Sequence, residues 1–272
     1  MNEDTITKTI KALVADCDKR FGKGAVMSLG DESSEPTLAT PTGSVALDLA
    51  LGIGGFPRGR VVEVYGPEGG GKKTLLLHTI AACQKGGRVV AYIDADQTLD
   101  VAWAKTIGVK LEHLLISQPD TGEQALEIVE VLVRSGAVDL VVVSSIGALQ
   151  PKLIVEGEYD GGGKDDLARG VQARNMSQAL RKTTAFAHRT QTTVVFLNHL
   201  QQRRPGDGDY PVGDNALKFY ASVRVEMRCI GTPDDGDDRF IRAKVVKNKC
   251  APPFTEATLL LRPAVGFVVE GV

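Results

Sequence analysis

The segment Gly66-Pro-Glu-Gly-Gly-Gly-Lys72-Lys73-Thr74 constrains this chain more than any other. An apolar run, Val61 to Tyr65, precedes it, and Leu75 to Ala82 after it has helical character. A glycine-rich loop between a buried strand and a helix is the context of a phosphate-cradling loop. Glycines let successive backbone N–H groups converge on one anion with no Cβ in the way. The helix N-terminus adds partial positive charge, and Lys72 extends to the outer phosphates. Gly66, Pro67, Glu68, Gly69, Gly70, Gly71, Lys72, Lys73 and Thr74 are therefore the expected binding loop for a nucleoside triphosphate or another polyphosphate.

One position departs from the pattern G-x-x-x-x-G-K-[ST]. Gly66, Gly71 and Lys72 satisfy it, but the last position, whose hydroxyl ligates Mg²⁺, is Lys73. Three outcomes are open: Thr74 substitutes through a register shift, the metal is held by other means, or no metal is held.

Around this loop the chain alternates. Apolar runs at Val61 to Tyr65, Val89 to Ile93, Leu114 to Ile116, Leu140 to Val143 and Thr193 to Leu197 are separated by helical stretches. The helices are expected at Lys73 to Gln84, Leu99 to Ile107, Gly122 to Arg134 and Leu167 to Arg189. Such alternation predicts an α/β fold: a mostly parallel central sheet flanked by helices on both faces. Ser222 to Cys229, Arg239 to Val246 and Ala257 to Leu261 are expected to extend that sheet as antiparallel strands. Thr5 to Phe21 predicts an N-terminal helix, and Thr42-Gly-Ser44 predicts the cap of another, Val45 to Leu51.

The 272 residues suffice for one large domain or two small ones. A net charge of −2 excludes a global basic field, so any nucleic-acid site has to be local. Cys17, Cys83, Cys229 and Cys250 are scattered without metal-ligand spacing, as expected of reduced thiols in a cytoplasmic protein. The polar start and the lack of an 18-residue apolar run point to neither export nor a membrane partner.

In folds of this kind ligands lie beyond the carboxyl ends of the strands. There the sequence places Asp94 and Asp96, Ser144 and Ser145, and Asn198 and His199. A P-loop NTPase wants a carboxylate after the Leu140 run, where serine stands instead. Of the histidines, His78 sits on an apolar helix face and reads as core-edge packing. His113 and His188 read as surface residues. Only His199 follows an apolar run at the ligand edge.

Several segments resemble the bacterial RecA recombinase family: Gly66 to Thr74, Tyr92 to Asp100, Ser117 to Leu126, Asn215 to Val223 and Lys244 to Lys249. The resemblance spans the chain apart from a small C-terminal domain, which is expected to be absent. It implies residues 1–35 as an N-terminal helix and linker for oligomerisation, and residues 36–272 as a RecA-like ATPase core. It also implies ATP as the cofactor, single-stranded DNA as a partner and assembly into a filament or ring, with homologous recombination and DNA repair as the role.

Carried over by position, the resemblance puts Asp100 and Trp103 beside adenine. Lys247 and Lys249 reach a neighbour's site, as point charges that steady the phosphates of the transition state. Arg169, Arg203, Arg204 and Tyr210 become the DNA contacts, cations and one aromatic suited to a phosphate-tracking, base-stacking groove.

The departures cluster on the chemistry. Asp96 replaces the family's catalytic glutamate and is one methylene shorter. Lys73 replaces the Mg²⁺-ligating threonine, Ser144 a carboxylate of the metal site, His199 the glutamine that senses the γ-phosphate, and Pro263 an aromatic over adenine. These changes put Mg²⁺ in doubt, with Lys73 in its place and no metal ligand assigned. They lead to an expectation of weak or lost hydrolysis. The alternative is a regulatory or structural paralogue that co-assembles with an active member of the family.

Overall fold

The computed structural model describes residues 2–28, 37–157, 164–201, 210–211, 215–233 and 236–268. The chain divides into two compact units, Met1–Pro36 and Thr37–Val272. The first is built on α1 (Glu3–Phe21), two residues longer at its start than its apolar spacing predicts. Glu3 and Asp4 in its first turn and Lys19 and Arg20 in its last complement the helix dipole.

The second unit runs β1 (Ala39–Thr40), α2 (Val45–Leu51), β2 (Phe56–Pro57), β3 (Val61–Gly66), α3 (Lys72–Lys85), β4 (Val90–Asp94) and α4 (Val101–Ile107). It continues through β5 (Leu114–Ser117), α5 (Gly122–Ser135), β6 (Leu140–Ser144), α6 (Lys152–Val155), α7 (Lys164–Thr190) and β7 (Thr193–Gln201). The remaining elements are β8 (Tyr210–Pro211), α8 (Asn215–Tyr220), β9 (Val223–Gly231), β10 (Arg239–Asn248), β11 (Glu256–Arg262) and β12 (Gly266–Val268). Ten strands form one sheet in the order β12-β11-β10-β9-β3-β7-β6-β4-β5, with β8 on β7. The strands from β9 to β5 in that order are mutually parallel. The α/β class expected from the alternation is the one observed.

The pleat sorts the core into two layers. Val62 and Val64 of β3, Val142 of β6 and Val195 of β7 face a cluster with Leu75, Leu76 and Ile80 of α3 and Leu47 of α2. Their chain neighbours Val61, Val141, Val143 and Val194 face Val129 and Val133 of α5 and Leu180 of α7. Continuous apolar runs are what a strand buried on both faces requires.

One expectation fails: β9 is parallel to β3, Val62 opposite Val223 and Val64 opposite Val225. The run Ser222 to Cys229 gives no hint of direction. The short helix α8 brings the chain back so that β9 enters the sheet in the same sense as β3. Beyond β9, the strands β10, β11 and β12 are antiparallel, each to its predecessor, as β8 is to β7. The β1–β2 pair and β12 are too short to leave a periodic signal. Ser44 caps α2 as expected, its side chain accepting from the Leu47 N–H.

Candidate nucleotide site

Strand β3 delivers the chain to the loop, and β9 fixes the loop's shape. A Cβ on Gly66 would lie 2.0 Å from the Met227 carbonyl oxygen, and one on Gly70 would lie 2.8 Å from the same atom. Gly69 and Gly71 adopt the left-handed conformation, at φ of 71° and 76°, that side chains disfavour. Gly71 is the N-cap of α3, so the helix starts at Lys72 and aims its first N–H groups at the loop.

Lys72 is buried, and its Nζ donates to the carbonyls of Gly66 at 2.8 Å and Pro67 at 2.6 Å. Burial pulls its pKa down to about 8; the charge of Lys73 acts in the same direction and that of Glu68 opposes it.

The next side chain does what the sequence could not disclose. Lys73 Nζ lies 3.1 Å from Asp96 Oδ2 and donates to Thr98 Oγ1. Thr98 Oγ1 in turn donates to Asp96 Oδ1 at 2.8 Å, and Ser144 Oγ lies 3.5 Å from both carboxylate oxygens. Burial pushes the Asp96 carboxyl up, but the hydrogen bonds from Thr98 and Lys73, with the charge of Lys73, leave it below the ordinary carboxylate range.

Thr74 Oγ1 accepts from the Trp103 indole Nε1 at 3.4 Å, towards α4. The fully buried Asp94 accepts from the N–H groups of Thr98 and Leu99 and from Gln118 Nε2. Its oxygens thus organise the turn after β4. Among the described residues no three of His, Cys, Asp and Glu stand together as a metal-binding group. An ammonium where a hydroxyl is needed and a serine where a carboxylate is needed do not fit a hard divalent cation, which wants oxygen ligands.

Asp100 and Trp103 come to the start of α3 by way of α4. Asp100 is the N-cap of that helix, its Oδ1 accepting from the Trp103 N–H at 2.9 Å. Pro263 lies in the turn between β11 and β12. His199 stands in register with Gly66 across β7 and β3. Its Nδ1 is buried without a hydrogen-bond partner. Burial, and then the charges of Lys72 and Lys73, lower its pKa.

The other proposed site residues lie elsewhere. Lys247 on β10 folds onto the end of α8, Nζ donating to the carbonyls of Lys218 at 2.8 Å and Phe219 at 3.0 Å. Lys249 is exposed, and its backbone N–H donates to Ser222. Tyr210 lies on β8, paired with Gln201 of β7. The backbone of Arg169 is helical within α7, and Arg203 and Arg204 lie outside the described residues. His78 accepts from the Phe267 N–H, while His113 and His188 are exposed, each as expected.

Sequence reasoning missed Thr98, which bridges Lys73 and Asp96. It also missed the buried pair of Glu63 and Arg224, and that Asn198 joins it, Nδ2 donating to Glu63 Oε1 at 2.8 Å. The signal for the second group was a glutamate inside an otherwise apolar strand, since a buried carboxylate demands a cation nearby.

A family profile described as the RecA N-terminal domain matches residues 8–267. The chain is 51% identical over 270 residues to Protein RecA of Clavibacter michiganensis subsp. michiganensis, covering 97% of this chain and 73% of that protein. It is 52% identical over 257 residues to Protein RecA of Sulfurovum sp., covering 92% and 73%. Protein RecA of Streptomyces coelicolor is 51% identical over 270 residues, covering 97% and 71%. No helix among the described residues is long and apolar enough to cross a membrane. With the loop after β3, the parallel sheet and half its residues shared with these relatives, the chain belongs to the RecA family of recombination and repair proteins.

Proposed function

We propose that this chain is a RecA-type protein that binds ATP, assembles with copies of itself on single-stranded DNA in the cytoplasm, and hydrolyses ATP slowly or not at all. The observation that carries the reading is the contact between Lys73 Nζ and Asp96 Oδ2 at 3.1 Å. Asp96 stands where the family's water-activating carboxylate stands. A general base contributes roughly 10²–10⁴-fold only if its oxygens reach the water and its pKa lies near the working pH. Here both oxygens accept from Lys73 and Thr98, and the pKa is displaced downward, away from neutrality.

Nucleotide binding does not need that base. The glycine turn, the N-terminus of α3 and the two adjacent lysines form an anion site whether or not water is activated. The buried, unpartnered Nδ1 of His199, in register with Gly66, supports a role for that ring in answering to a bound ligand. Residues 1–35 supply the segment for assembly, and Arg169, Arg203, Arg204 and Tyr210 supply the DNA contacts.

A second reading has its own support: the exposed Lys249 and the neighbouring Lys247 are retained while this chain's own site is altered. A protein so built completes a neighbour's site in a mixed filament with an active family member, without turnover of its own. Raised or lowered ATPase of an active relative on mixing separates this role from simple self-assembly.

The direct test is steady-state ATPase with Mg²⁺ and single-stranded DNA, on the natural chain and on the double variant Lys73→Thr/Ser144→Asp. Background turnover in the natural chain and measurable Mg²⁺-dependent turnover in the variant are expected. Turnover by the natural chain comparable to that of an active relative overturns the reading.

A further inference from the structure

The loop raises a question that slow hydrolysis leaves open: which ionic form of the nucleotide fits a site whose cation is already part of the chain. We infer that this site takes the metal-free nucleoside triphosphate, with the Lys73 ammonium standing in for the divalent ion. The inference rests on the nucleotide-binding reading above and deepens it.

Geometry comes first. Lys73 is in the first turn of α3 beside Lys72, and its Nζ is held by Asp96 Oδ2 at 3.1 Å and by Thr98 Oγ1. The ammonium therefore lies between the phosphate loop and the turn after β4, the space across which a P-loop hydroxyl and a carboxylate otherwise hold a metal. An ammonium has three N–H donors. Asp96 and Thr98 use two, which leaves one for a phosphate oxygen without breaking the pair.

Charge comes second. A divalent cation accompanied by a carboxylate carries the same net formal charge as one ammonium accompanied by a serine. Lys73 and Ser144 together make that exchange, so a bare triphosphate meets the same net charge it would meet in a metal-loaded site. A triphosphate that brings its own Mg²⁺ instead sets a dication against the Lys73 ammonium, and like charges a few ångströms apart in a partly buried site repel strongly.

Competition from other ligands comes third. Thr74 is turned towards Trp103, and both Asp94 oxygens accept hydrogen bonds from the turn and from Gln118. Neither residue offers an incoming metal a substitute for what Lys73 and Ser144 removed.

The test is titration calorimetry of ATP on the full chain, in EDTA and in excess Mg²⁺. The natural chain is expected to bind in EDTA and to lose about tenfold or more in affinity when Mg²⁺ is added, the opposite of an ordinary P-loop protein. Lys73→Ala weakens binding in EDTA by about tenfold, and Lys73→Thr/Ser144→Asp reverses the preference in favour of Mg²⁺. Tighter binding by the natural chain with Mg²⁺ than without it overturns the inference and leaves the nucleotide-binding reading intact. So does an unchanged affinity of Lys73→Ala in EDTA. Binding in neither condition overturns both.

Discussion

Arg224 and Glu63 sit opposite each other on the adjacent parallel strands β9 and β3, with the arginine Nε donating to the glutamate Oε2 and both side chains buried. Asn198 of β7 donates to the other glutamate oxygen, and the Arg224 guanidinium lies 4.6 Å from the centre of the Tyr65 ring. Three neighbouring strands are thereby joined through one carboxylate, on the strand that leads into the phosphate loop.

Removing that carboxylate leaves an arginine buried without a counter-charge. Glu63→Ala is expected to cost about 3–5 kcal/mol in a urea unfolding titration. The double variant Glu63→Leu/Arg224→Met, which removes both charges, is expected to cost markedly less. Equal losses in the two variants would show that the pair's charges are not what stabilises this part of the sheet.

Asp100 carries two roles that one pair of variants separates. As the N-cap of α4 it accepts from the Trp103 N–H, and Asp100→Ala is expected to lower stability by about 1 kcal/mol. Asp100→Asn keeps the cap and loses the charge. If Asp100 contacts the base, ATP affinity measured by calorimetry falls in both variants, while thermal stability falls only in the alanine.

Lys72 makes nucleotide binding sensitive to pH from the alkaline side. In the free chain its pKa is lowered from 10.5 to about 8, and a bound polyanion raises it by favouring the charged form. Affinity is therefore full well below pH 8 and declines as pH rises through about 8. Binding near pH 8.5 is expected to take up protons, which calorimetry in buffers of different ionisation enthalpy reads directly. Binding without proton uptake there would place the phosphates away from Lys72.

His78 acts on stability from the acid side. Burial lowers its pKa from 6.5 to about 4, with the charge of Lys85 adding to the effect, and its Nε2 accepts from the Phe267 N–H at 2.9 Å. Because the folded value lies below the unfolded one, the contribution of this residue is complete above pH 6.5 and is lost as pH falls towards about 4. His78→Gln, which keeps an acceptor but does not titrate, is expected to narrow the fall in melting temperature across that window. An unchanged acid limb would assign it wholly to carboxylates.

The fold was legible wherever burial writes a pattern. Val61 to Tyr65, Leu140 to Val143 and Thr193 to Leu197 announced themselves as strands covered on both faces. The glycine loop announced the ligand edge. What the sequence withheld was direction and distance. Apolar content is the same for a strand of either sense, so β9 read as antiparallel. Lys73 and Asp96 are far apart in the chain, and only the turn after β4, organised by Asp94, brings the carboxylate to the ammonium. The substitution at 73 was visible as a departure; its partner was a matter of packing.

The atom that presses on Gly66 and Gly70 is the carbonyl oxygen of Met227, not its side chain. No replacement at position 227 removes that carbonyl, so a change of side chain there does not relieve a Cβ at either glycine. The Lys73 ammonium is held by two side chains, those of Asp96 and Thr98, and each of these can change with it. The loop therefore has an architectural half that mutation cannot renegotiate and a chemical half that it can. Lys73, where the loop departs from the G-x-x-x-x-G-K-[ST] pattern, falls in the second half.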